Sequence, residues 1–126
     1  MRWGKSQTVI EVEKMKLNDV KDALNLKTES GEELLNREIK GGYTSDLLSD
    51  VMANASEGDI WITLQTHQNV VAVASLLGLS AVIITGGSKP EDNTLEKAKK
   101  AEVPILSSQL PSFELSGKAY AIIGSD

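Results

Sequence analysis

Apolar and polar residues alternate over Thr8-Val9-Ile10-Glu11-Val12, and this period of two predicts a short strand. From Leu17 to Leu24 the spacing turns helical. Asn18 is placed as the N-cap, and Val20, Ala23 and Leu24 form the apolar side. Lys27 to Ile39 is polar, carries Gly31 and has no clean period, so it reads as loop and edge structure. Gly41-Gly42-Tyr43-Thr44-Ser45-Asp46 reads as a turn leading into a helix, because paired glycines permit positive φ. Ser45 is placed to cap that helix, and Asp46 and Asp50 lie towards its positive end. Leu47, Leu48, Val51 and Met52 supply its apolar face. After the break at Glu57-Gly58, Asp59-Ile60-Trp61-Ile62-Thr63-Leu64 is a clear strand. Trp61 faces away from Ile60 and Ile62, so either a helix or a second subunit would cover it.

Thr66 is placed to cap a helix of roughly residues 67–77 that is apolar nearly all round. Its valines also suit a strand, but its length and the stop at Gly78 favour a buried helix. Ala81-Val82-Ile83-Ile84 is a continuous apolar run, the mark of a strand covered on both faces. Thr85-Gly86-Gly87-Ser88 follows directly. Pro90 fits the first turn of a helix ending near Ala101. Pro104-Ile105-Leu106 is a short strand, and Ser112 is placed to cap a last helix with Phe113, Leu115, Tyr120 and Ile123. From Asp59 onward the order is strand, helix, strand, helix, strand, helix. That order predicts a three-layer α/β/α fold on a mainly parallel sheet of about four to five strands. The first third fits this less well and suggests a mixed edge.

Composition narrows the functions open to such a domain. The 126 residues suit one domain, 1–126, with a core of about 8–123; 40% are hydrophobic, enough for a packed core. Thirteen basic and 18 acidic residues give a net charge of −5 with no basic stripe, so nucleic acid is not an expected partner. There is no cysteine and a single histidine, His67, which removes thiolate chemistry and a His-rich metal site; no cofactor is expected. The longest apolar stretch, Val70 to Leu79, is about half of the roughly 20 residues a membrane span needs. The N-terminus lacks an apolar signal core, so no membrane is expected and the cytoplasm is the default location.

In open α/β sheets ligands bind beyond the carboxyl ends of the strands. Three polar turns are predicted there: Gln65 to Gln68, Thr85 to Ser88, and Ser107 to Gln109. Gly41 to Asp46 has the same character. Each precedes a helix N-terminus, where free backbone N–H groups attract anions. The candidate contacts are Gly42, Ser45, Thr66, His67, Thr85, Gly86, Gly87 and Ser108, with backbone N–H groups doing most of the binding. Gly86-Gly87 equally suits a tight strand–helix link with no ligand. No G-x-x-x-x-G-K-[ST] or G-x-G-x-x-G occurs, and no serine sits in a G-x-S-x-G elbow. His67 is the one side chain suited to act as a general base near neutral pH.

Gly41-Gly42-Tyr43-Thr44-Ser45-Asp46-Leu47-Leu48-Ser49-Asp50-Val51-Met52 resembles the Gly–Tyr…Ser-Asp-Leu-Leu-Ser segment of DRTGG domains. A related version occurs in the N-terminal domain of HPr kinase/phosphorylase. Ile83-Ile84-Thr85-Gly86-Gly87 with Pro90-Glu91 is similar to the strand–turn–helix of the same group. Val103-Pro104-Ile105-Leu106 and Pro111 to Lys118 are similar to its closing strand and helix. The Asp-Arg of the family's name is replaced here by Ile83-Ile84. The resemblance implies a fold like that of HPr-kinase and Mur-ligase N-terminal domains. It also implies a regulatory or dimerising module without the kinase's P-loop chemistry. The expected function is a non-catalytic sensing module, a homodimer that binds a small anionic metabolite or nucleotide at the strand carboxyl ends. One alternative is a docking module without a small ligand, which fits onto a larger enzyme through an apolar patch around Trp61 or Phe113. The other is a small hydrolase or transferase using His67.

Overall fold

The computed structural model describes residues 14–124. Helix α1 (Leu17–Leu24) leads into strand β1 (Lys27–Ser30) and a short 3-10 turn at Glu32–Leu34. Then follow β2 (Gly41–Thr44), α2 (Leu48–Asn54), β3 (Asp59–Thr63), α3 (Asn69–Leu77), β4 (Ala81–Ile84), α4 (Asp92–Ala101), β5 (Ile105–Ser107) and α5 (Ser112–Ile123). The five strands form one sheet in the order β1-β5-β4-β3-β2. Strands β2 to β5 are parallel, and β1 runs antiparallel to β5. This is the expected α/β architecture, with the mixed edge supplied by β1.

Side-chain alternation along the strands divides the core in two. Ile60, Ile62, Ile83 and Leu106 face α1 and α5, where they meet Leu17, Val20 and Leu115. Trp61, Val82, Ile84 and Ile105 face the opposite way and meet Val51 of α2, Val70 and Val71 of α3, and Ala98 of α4. Both faces of β3 and β4 are therefore covered, which is why Ile60-Trp61-Ile62 and the whole of β4 are apolar without a break. Trp61 is fully buried within the chain, and its indole N–H donates to the Ser45 carbonyl at 2.8 Å. Helices of the same chain cover it.

The structure corrects several local readings. Gly41–Thr44 is a strand, not a turn: parallel pairing with β3, Gly41 to Asp59 through Thr44 to Ile62, outweighs the glycines' poor strand propensity. Asn18 lies inside α1, whose N-cap is Lys16, and the Asp19 carboxylate accepts the Lys16 N–H at 3.0 Å. Thr66 caps nothing, because α3 begins at Asn69. Its carbonyl accepts instead from Glu91 N–H and the Thr94 hydroxyl, tying β3's exit to the start of α4. Pro90 lies ahead of α4, and Ser112 is the first residue of α5 with Pro111 as its N-cap. The strand expected at Thr8–Val12 lies outside the described residues.

Candidate functional site

The four parallel strands bring their carboxyl ends to one edge of the sheet. Ser45, Thr66, Thr85 and Ser108 follow β2, β3, β4 and β5 in turn, so this part of the expected row is real. Its chemistry differs from the expectation. Gly86 N–H donates to the Leu110 carbonyl at 2.8 Å and Gly87 N–H to the Ser108 carbonyl at 2.9 Å. Thr85, Ser108 and Ser45 likewise commit their N–H groups, to Thr63, Ile84 and Ile62. Those five amides hold the fold together, so an anion arriving there would have to be met by other donors.

Many of those side chains are also engaged. The Thr85 and Ser112 hydroxyls share a hydrogen bond of 2.8 Å that joins β4 to α5. Asp46 accepts from the Thr63 hydroxyl at 2.9 Å and from Leu64 N–H at 2.7 Å, locking the exits of β2 and β3. His67 Nδ1 accepts the Asn69 N–H at 3.2 Å at the entrance to α3. Gly42 stands apart. It lies within β2 and lines an apolar groove of about 760 Å³ between β2 and α5.

One place on the carboxyl edge forms a polar recess. The chain leaves β4 towards α4 on one face of the sheet and leaves β5 towards α5 on the other. Connections that diverge in this way open a crevice between neighbouring strand ends. The crevice has a volume of about 150 Å³ and is lined by Gly87, Ser88 and Lys89 from one loop and Ser107 and Ser108 from the other. Lys27 and Glu29 of β1 close its outer side. Glu29 accepts the Ser107 hydroxyl at 2.6 Å and lies 3.9 Å from Lys27 Nζ. Of the expected contacts, Gly87 and Ser108 line this recess; Ser45, Thr66, His67, Thr85, Gly86 and Gly42 do not. The lysines were not legible as site residues. Lys89 follows the Gly-Gly turn without phosphate-loop spacing, and Lys27 arrives from a distant edge strand that has no sequence signature.

A second polar cluster braces β2 against α2. The Tyr43 hydroxyl lies 2.9 and 3.0 Å from the two carboxylate oxygens of Asp50, and the Asn54 side-chain N–H donates to Oδ1 at 2.9 Å. The hydroxyls of Ser45 and Tyr43 and the Asn54 amide hold the Asp50 carboxyl below its ordinary 3.8. The hydrogen bond to Asp50 raises the Tyr43 phenol above 10.0. A carboxyl with a depressed folded pKa stabilises the fold above its unfolded value, and that contribution fades as pH falls through the folded one. The melting-temperature gap between wild type and Asp50→Asn should therefore be steady at neutral pH and narrow as pH falls below about 3.8. A gap that stays constant down to pH 2 would contradict this account.

Among solved structures, the chain is similar to the CBS and DRTGG domains of the regulatory region of a Clostridium perfringens pyrophosphatase. That region is complexed with its activator, diadenosine tetraphosphate. The two share 26% sequence identity with a TM-score of 0.67, over 82% of this chain and 45% of the other. The chain thus spans less than half the length of that neighbour. No curated protein matches it. The family model of the DRTGG domain matches residues 20–121, most of the chain and every strand of its sheet. The chain belongs to the DRTGG domain family.

Proposed function

We propose that this chain is a non-catalytic regulatory module of the cytoplasm, a homodimer that senses a small anionic metabolite or nucleotide at the carboxyl edge of its sheet. The observation that carries the reading is the recess between the β4 and β5 exits, where Lys27 and Lys89 flank the Gly87-Ser88 turn and the Ser107 and Ser108 hydroxyls. Its volume suits one phosphate group, with the remainder of a nucleotide lying outside along the row of Thr85, Gly86 and Thr66. Lysine supplies a mobile point charge for such an anion, and the Ser108 hydroxyl, which accepts from Leu110 N–H and keeps its own proton to donate, orients it. The pyrophosphatase region complexed with diadenosine tetraphosphate supports an anionic, nucleotide-class ligand. The engagement of His67 Nδ1 by the Asn69 N–H favours sensing over catalysis.

Thermal shift with ATP, ADP, diadenosine tetraphosphate and inorganic phosphate tests this. A ligand at 100 times its dissociation constant adds about 2.7 kcal/mol of stability. Lys89→Ala and Lys27→Ala should each weaken the binding ligand about tenfold, or about 1.4 kcal/mol, without lowering the melting temperature of the free protein. Glu29→Gln should act in the opposite direction. It keeps an acceptor for the Ser107 hydroxyl and removes a negative charge facing the anion. Binding that ignores all three substitutions would move the ligand elsewhere, and no shift with any probe would sink the sensing reading. The docking alternative is favoured by one observation: Phe113, on the outer face of α5, is 92% exposed.

A further inference from the structure

We infer that Glu29 makes the recess between the β4 and β5 exits selective for a phosphate group that still carries a proton, and that it turns away an oxyanion without one, such as sulfate. The inference rests on the sensing reading above and names the ligand chemistry of that same site: the terminal group of a phosphomonoester, or free phosphate. It starts from an irregularity in the sheet. Thr28 pairs with Leu106 and Ser30 with the adjacent Ile105, so Glu29 is an extra residue with no partner on β5. Bulges of this kind re-aim a side chain and are common beside functional sites. Glu29 lines the recess together with Lys27, Lys89, Ser107 and Ser108. This is the β1 side of the sheet, away from β2 and from the Lys16–Glu38 bridge ahead of it.

The Glu29 side chain is only 10% exposed. Among the described residues its bonding is done by Oε2 alone, which accepts the Ser107 hydroxyl and lies 3.9 Å from Lys27 Nζ. Lys27 is itself 63% exposed, so that ion pair is loose. Oε1 has no partner among the described residues and is the oxygen left for a ligand. A carboxylate oxygen accepts hydrogen bonds and donates none. Set against an anion whose oxygens are all acceptors, it repels and stays unpaired. A phosphate that keeps its second proton offers an O–H to Oε1, and its remaining oxygens accept from Lys27, Lys89 and the Ser108 hydroxyl. The second pKa of a phosphomonoester is about 6, so that proton is at hand near neutral pH. Sulfate has none to offer. A buried acceptor left unpaired rejects an analogue that lacks one donor far more strongly than added contacts could favour the right ligand. Two lysines alone would take any small oxyanion; a buried carboxylate beside them repels every anion except one that returns a hydrogen bond.

The test is titration calorimetry of the full chain at about pH 6 and constant ionic strength, with two matched pairs of probes: inorganic phosphate against sulfate, and AMP against adenosine 5′-sulfate. Wild type should bind the phosphate of each pair at least about tenfold tighter than the sulfate. AMP binding tighter than free phosphate identifies a nucleotide as the source of the group, and equal affinities identify phosphate alone; the selectivity holds in both cases. Glu29→Gln keeps an acceptor for the Ser107 hydroxyl and places an N–H where Oε1 stood. It should bring the members of each pair to within about threefold, chiefly by strengthening sulfate. Lys89→Ala should weaken both members alike and leave their ratio unchanged, which separates attraction from selectivity. Sulfate bound as tightly as phosphate by wild type would overturn the inference and leave the sensing reading standing, whether or not any variant folds. A ratio that survives Glu29→Gln would overturn the role of Glu29. No heat from any of the four probes, where ATP still raises the melting temperature, would overturn the inference alone; no response to ATP either would overturn both.

Discussion

Trp61→Ala is expected to destabilise the domain by about 3–5 kcal/mol, the range for deleting a fully buried large aromatic side chain. Trp61 has no exposed surface and sits at the middle of β3, between Tyr43 of β2 and Val82 of β4. Its ring fills the space among Val51, Val70, Val71 and Ala74, on two helices that have no other side chain of that size to close around the gap. The indole N–H also fixes the Ser45 carbonyl at the exit of β2, so truncation leaves that acceptor without its partner. Domains of this size are stable by roughly 5–15 kcal/mol in all, so the loss is a large fraction of the total. Urea denaturation followed by circular dichroism measures it, and the melting temperature should fall by roughly 10–20 °C. Trp61→Phe separates the two contributions. It keeps most of the volume and loses the N–H, so it should cost about 1–3 kcal/mol. A loss below about 1 kcal/mol for the alanine variant would mean that the helices α2 and α3 collapse onto the sheet and that packing there is soft.

The legible parts of the fold are those in which burial writes itself into the residues. β3 and β4 lie between two helical layers, and the apolar runs Ile60-Trp61-Ile62 and Ala81 to Ile84 are the direct consequence. The alternation from Asp59 onward follows from the same layering. β2 was hidden because its four residues gain strand geometry from pairing with β3 and not from their own preference. β1 is legible only as loop and edge structure, for a related reason. Lys27-Thr28-Glu29-Ser30 is polar, and it becomes a strand by antiparallel pairing with β5 through an irregular register. The site divides in the same way. That the turns after β2 to β5 share one edge follows from parallel topology. That Gly86 and Gly87 spend their N–H groups on Leu110 and Ser108 depends on how two loops meet. Lys27 reaches the recess only because β1 lies beside β5, which no local pattern encodes.

Gly31→Ala should cost about 2–4 kcal/mol, and the reason lies in what a methyl group would strike. Gly31 has φ +92°, in the left-handed region, where an L side chain loses about 1–2 kcal/mol. A Cβ there would also stand 2.8 Å from the Pro104 Cα. Pro104 leads directly into β5, and its carbonyl accepts the Val82 N–H at 3.0 Å, so that backbone is held by the sheet and cannot withdraw cheaply. Gly31 must also keep its place, because its carbonyl accepts the Leu34 N–H at 2.8 Å in the turn after β1. Gly58 provides the control. Its φ is +87°, nearly the same, and a Cβ would also come within 2.8 Å of a neighbour, but that neighbour is the Lys40 side chain. Lys40 is exposed, so its Cδ and Cγ can rotate away, and only its Cβ, at 3.1 Å, has to give by a few tenths of an ångström. Gly58→Ala should therefore cost little beyond the strain of its φ, about 1–2 kcal/mol. Urea denaturation of the two variants side by side reads the difference, expected at roughly 1–2 kcal/mol against Gly31→Ala. Equal losses would show that backbone strain alone sets the cost at both sites, and that β5 yields at Pro104 as readily as a surface lysine does.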